Sequence, residues 1–162
     1  MIFLQHAMPF LIDGHNLIPK LGLRLDSLDD EEQLIPRLQE FCRLRRAQVD
    51  VYFDGAQPGN ASTRKAGAVT AHFVRKGSSA DAEIEARLAR LGKSARNWVV
   101  VSSDRRVQSA AGAAHAGVLS SEDFAREMSK AQAKAASKPD HTATLAPNEV
   151  EEWLDIFNRK RD

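Results

Sequence analysis

Three short apolar runs in this chain each stop at an aspartate. Phe10-Leu11-Ile12 leads into Asp13, Val51-Tyr52-Phe53 into Asp54, and Val99-Val100-Val101 reaches Asp104 after two serines. Runs of this length suit buried strands better than helices, and the unbroken apolar stretch at Val99–Val101 suits the centre of a parallel sheet. Ala68–Val74 and the short Gly117–Leu119 read as two further strands. Segments of helical spacing lie between. In Asp29–Ala47, Leu34, Leu38, Phe41 and Leu44 share a face, and Pro36 is expected to interrupt that helix, with the regular part starting there. Ala80–Leu91 follows Ser78 or Ser79 as N-cap. Asp104–Ala113 is a short helix, and Ser120 caps a last one in which Asp123 completes a capping-box variant. Ala56–Gly67, rich in Gly, Pro, Ser and Asn, reads as a loop carrying Arg64 and Lys65. The alternation implies a three-layer α/β/α sandwich on a mainly parallel central sheet.

At 162 residues the chain has the length of one domain. Residues 1–7 read as a short N-terminal extension and 8–136 as the domain. Residues 137–162 read as a linker and a C-terminal helix packed on the same domain, with Val150, Trp153, Leu154 and Phe157 on its apolar side. No apolar run approaches the roughly 20 residues of a membrane span, and no leader pattern is present, so no membrane partner is expected and the cytoplasm is the expected location. A single cysteine, Cys42, excludes an internal disulfide and a cysteine-rich zinc site.

Charge is nearly balanced, 23 basic against 22 acidic residues, but unevenly spread. Residues 61–110 carry 10 basic and 4 acidic side chains, and Asp81 and Asp104 are two of those four acids. A basic segment around a few acids points to an anionic partner. Arg64, Lys65, Arg75, Lys76 and Arg105 are the candidate phosphate contacts, although each alone also fits an ordinary solvated face.

Asp13, Asp54 and Asp104 sit at the carboxyl ends of strands, and Asp81 in the first turn of the helix after the third strand. In an open α/β sheet, ligands bind beyond those strand ends, where strand order reverses. Carboxylates gathered there repel one another unless a cation neutralises them, and hard oxygen donors select Mg²⁺ or Mn²⁺. An ion so held can activate water and clamp a phosphate. Each residue also has a plainer use: Asp-Gly is a turn signal for Asp13 and Asp54, Asp81 complements a helix dipole, and Asp104 suits an N-cap.

Other chemistries lack their motifs. There is no GxxxxGK[ST], so no nucleotide cofactor is expected. His15 stands where an aspartyl-phosphate phosphatase needs a second Asp. The five histidines show no HxxxH or HExxH spacing, and no GxSxG is present. A metal-dependent phosphotransfer enzyme acting on small molecules is therefore the weakest alternative.

Four blocks in order carry a resemblance: Leu11-Ile12-Asp13-Gly14-His15-Asn16-Leu17-Ile18, Val51-Tyr52-Phe53-Asp54-Gly55, Ser79-Ala80-Asp81-Ala82-Glu83-Ile84-Glu85, and Val99–Val101 with Ser102-Ser103-Asp104-Arg105. Together they resemble the NYN domain, a PIN-like nuclease fold, and within it the YacP-like family of bacteria. The resemblance implies a Mg²⁺-dependent endoribonuclease that hydrolyses RNA phosphodiester bonds. Asp13, Asp81 and Asp104 would be the metal-binding and catalytic acids, Asn16 their polar partner, and Asp54 a further acid at the metal shell. It also implies strand order 3-2-1-4-5, with the strand of Asp13 beside that of Asp104. Some members of the family act on messenger RNA in association with the ribosome, which adds the ribosome to RNA as an expected partner. The alternative is a non-catalytic RNA- or ribosome-binding module on the same fold, which would have no use for acids facing a polyanion.

Overall fold

The structure is a computed structural model that describes residues 8–23, 30–56, 63–75 and 77–137. The N-terminal extension and the expected linker and helix beyond Ser137 lie outside the described residues, as does Lys76. Strand β1 (Phe10–Asp13) runs into a single helical turn, α1 (Gly14–Leu17), and a 3₁₀ turn, Ile18–Leu21. Helix α2 (Asp30–Arg45) precedes β2 (Val49–Ala56), β3 (Thr63–Ala66) and β4 (Val69–Arg75). Then come α3 (Ala80–Leu91), a 3₁₀ segment Gly92–Asn97, β5 (Val99–Val101), α4 (Arg105–Ala113), β6 (Gly117–Leu119) and α5 (Ser121–Ser137).

The strands form one six-stranded sheet in the order β3-β4-β2-β1-β5-β6. All neighbours are parallel except β3, which pairs antiparallel with β4. Without that edge strand the five parallel strands stand in the expected order 3-2-1-4-5. Alternate side chains of the strands feed two cores. Phe10, Ile12, Val49, Val51, Phe53, Val99 and Val101 pack under α2 and α5, and Leu11, Tyr52, Val74 and Val100 under α3 and α4. On the first side Phe10, Phe41 and Phe124 meet edge-on or tilted, with centroids 4.9 to 5.9 Å apart. Each such ring contributes roughly 1.5–3 kcal/mol by burial.

Two expectations are corrected. Pro36 does not interrupt α2, which runs unbroken from Asp30 to Arg45. The proline removes one backbone donor, at a cost of about 3 kcal/mol. Leu34, Ile35, Leu38 and Phe41 on both sides of it are buried, and that burial offsets the loss. The segment read as a loop through Gly67 contains β3. The turn closes at Gly67, whose φ of 62° suits a residue without a Cβ. An exposed, polar edge strand carries no apolar signal.

Candidate metal centre at the carboxyl edge of the sheet

Strand β1 lies between β2 and β5, so the chain leaves it in opposite directions and opens a crevice at its carboxyl end. Asp13 closes β1 and is only 6% exposed. Burial raises its pKa to about 6, with Asp81 and Asp54 adding to the rise, while the backbone N–H of Asn16 and the nearby His15 act the other way. Gly14 follows because nothing larger fits: a Cβ there would stand 2.4 Å from the Phe53 ring and 3.0 Å from the Tyr52 carbonyl.

Asp54 ends the regular part of β2, where the pairing with β4 shifts register. Its Oδ1 accepts the N–H of Ala80, the first residue of α3. Ser79 caps the same helix, its hydroxyl accepting the Ala82 N–H at 3.1 Å. Asp81 in that first turn has a raised pKa, chiefly from burial and then from Asp104, with Asp54 and Glu85 adding to it and Arg106 opposing. Asp104 caps α4: its Oδ1 accepts the Arg106 N–H at 2.8 Å, and its own N–H donates to the Ser102 hydroxyl at 3.0 Å. Asp81 thus stands within electrostatic reach of the other three aspartates, and Asp13 within reach of Asp54.

Asn16 is held from the far side. Its Oδ1 accepts the Ser103 N–H at 2.8 Å and the hydroxyl of the fully buried Ser121 at 2.6 Å. A backbone N–H can only donate, so the orientation of this amide is fixed by chemistry. Its Oδ1 is spent on two donors, which leaves the NH₂ as the group that can serve a ligand.

Two other features carry no local sequence signal. Arg106 forks onto Glu85 through two 2.8 Å bonds, tying α4 to α3 beside Asp81 and Asp104. His15, Asp30 and Glu31 offer ligand atoms that all lie within 4.8 Å of one another; among the described residues no three of the aspartates do so. Burial and a bond to Asp30 raise the Glu31 pKa. His15 and Asp30 are separated by fourteen residues of chain, so no local motif announces them. Among the candidate phosphate contacts, Lys65, Arg75 and Arg105 are exposed. Arg64 is engaged: it forks onto Glu32 at 2.9 and 3.1 Å and stacks over Phe73.

The sheet order and the row of acids at its switch point define a PIN-like α/β domain. The chain belongs to the YacP-like NYN domain family, whose profile matches residues 10–160. It is similar to the crystal structure of Rae1 (YacP) from Bacillus subtilis in its W164L form, at 25% identity and a TM-score of 0.66 over 96% of both chains. A second Rae1 (YacP) structure from the same organism shares the fold, with a TM-score of 0.62 at 24% identity over 93% of this chain and 94% of that one. No curated protein matches the chain.

Proposed function

We propose that the protein is a metal-dependent endoribonuclease whose centre is formed by Asp13, Asp81 and Asp104, with Asp54 at its margin. What supports this is the electrostatic coupling of Asp81 to Asp13, Asp54 and Asp104, with Asp13 buried at the crevice. Carboxylates are the hard donors that Mg²⁺ or Mn²⁺ takes, and the donor set fits such an ion. The carboxylates stand further apart than a closed ligand cage would need, which agrees with the habit of Mg²⁺ to keep several waters and lean directly on one or two acids. A divalent ion bound there supplies a water of lowered pKa and neutralises charge on the scissile phosphate.

The chain's own groups do the rest. Asp54 and Asp104 each spend an oxygen on a helix N-terminus, which fixes their carboxyl planes and leaves the second oxygen for the ion. Asn16 directs its NH₂ to a non-bridging phosphate oxygen, because its carbonyl oxygen is taken. Attack of water in line on phosphorus forms the new P–O bond as the bond to the leaving 3′-oxygen breaks, so the products carry a 5′-phosphate and a 3′-hydroxyl. Lys65, Arg75, Lys76 and Arg105 are assigned to the RNA backbone, with messenger RNA on the ribosome as substrate setting and the cytoplasm as location. The test is Asp81→Asn combined with Asp104→Asn, incubated with total RNA and with translating ribosomes, with and without Mg²⁺. The variant folds and leaves RNA intact; cleavage at the wild-type rate refutes the assignment.

A further inference from the structure

We propose that Arg90, Lys93 and Arg96 form a second RNA-docking surface, separate from the carboxylate crevice; the choice of RNA as the polyanion rests on the function proposed above. From residue 86 to residue 103 the chain holds four cations and no acid, and the cations recur every third residue: Arg87, Arg90, Lys93, Arg96. The fold leaves three of the four exposed. In α3 and the 3₁₀ segment after it, Ile84, Leu88 and Ala95 point into the core while Arg90, Lys93 and Arg96 are exposed. Lys93 and Arg96 eclipse one another in the 3₁₀ turn, and Arg90 stands three residues before Lys93 across Gly92, whose φ of 55° ends α3, so the row is a run of three exposed cations along the chain.

Arg87 is a different case. It donates to Asp50 at 3.0 Å and to the Tyr52 hydroxyl at 3.2 Å, and stacks on Trp98 at 4.9 Å. It anchors the row and is not available to a ligand. Among the described residues no acid pairs with Arg90, Lys93 or Arg96. A cation at a helix C-terminus complements the dipole, which accounts for Arg90. Arg96, in the last turn of the 3₁₀ segment, has the same use on a smaller scale, whereas Lys93 in its first turn has none. The helix runs from the carboxyl edge of the sheet toward the opposite edge, which puts Arg90 roughly 14 Å from Asp81 at 1.5 Å per residue, with Lys93 and Arg96 following it in the chain. An RNA longer than a few nucleotides reaches both places, and a row of point charges holds its backbone without reading its bases.

The experiment measures RNA affinity in EDTA, where no cleavage occurs, for a 40-nucleotide RNA and a five-nucleotide RNA. The protein carries Arg90→Ala, Lys93→Ala and Arg96→Ala together. Removal of three exposed-side cations on the other layer, Arg126, Lys130 and Lys134, is the control. The expected result is at least a tenfold loss for the long RNA, a log–log salt slope smaller by about 2, and no change for the short RNA. An unchanged slope in the folded variant overturns the proposal. So does equal weakening of the short RNA, an equal loss from the control, or binding of polyglutamate as tight as that of RNA. If the wild type binds the long RNA through this row and never cleaves it with Mg²⁺, the docking surface stands and the nuclease assignment falls.

Discussion

Replacing Asp13 by Asn should stabilise the metal-free protein while abolishing its activity. A carboxyl whose pKa rises from 3.8 to about 6 holds its proton more tightly in the folded chain than in the unfolded one. Between those two values the folded state binds the extra proton, so stability falls as pH rises and then levels off above 6. The whole loss is about 3 kcal/mol at 1.36 kcal/mol per pKa unit. Asn keeps the shape and still accepts the Asn16 N–H, but it brings a buried NH₂ that lacks a partner, at about 1 kcal/mol or more. The net gain at pH 7.5 is about 1–2 kcal/mol, or roughly 2–8 °C in Tm for a domain of this size. The assay is thermal and urea unfolding in EDTA from pH 4 to 7.5. The wild-type penalty falls to about half at pH 5 and nearly vanishes at pH 4, so the advantage of the variant should shrink and reverse as the pH falls. Adding Mg²⁺ should then raise the Tm of the wild type and not that of Asp13→Asn. A variant that is less stable at pH 7.5, or a difference that does not change with pH, refutes the electrostatic account of this site.

Three further outcomes follow from the same geometry. Ser121→Ala removes one of the two donors that fix Asn16 and should cost about 1–2 kcal/mol of stability. It should lower kcat about tenfold with Mg²⁺ affinity unchanged by calorimetry, and a fall in Mg²⁺ affinity instead would make the serine part of the ion's support. Gly14→Ala forces a Cβ against the Phe53 ring and should lower the urea midpoint by the equivalent of about 1–3 kcal/mol, an effect that Phe53→Leu should partly relieve. Arg64→Ala should shift stability by under about 1 kcal/mol, as for exposed ion pairs, and leave RNA affinity within twofold, because its guanidinium is engaged by Glu32; a larger affinity loss returns Arg64 to the phosphate contacts.

The five parallel strands and most of the helices were legible because their residues signal locally. Val99–Val101 is apolar throughout and buried, Ser79 caps where a cap is needed, and Ser120 accepts from Asp123 as its spacing predicts. Strand β3 was hidden because Thr63–Ala66 is exposed and polar and is held chiefly by its pairing with β4. Pro36 misled because propensity is local and the burial that overrides it is not. The lock on Asn16 spans 87 and 105 residues of sequence, so neither serine could be singled out before the fold was known.

The plainer uses of the four aspartates, as turn formers, caps and first-turn acids, turn out to be compatible with a metal centre. A carboxylate has two oxygens. Asp104 gives one to the Arg106 N–H, and Asp54 gives one to the Ala80 N–H. Each acid is thereby held rigidly at a helix N-terminus, and the second oxygen remains for a cation. Asp13 differs: it occupies the N-cap position of α1, but its backbone partner, the Asn16 N–H, does not offset its burial. Burial and the neighbouring carboxylates make it the acid whose pKa rises furthest among those at the crevice, so it is the member of the set that a bound cation would relieve most.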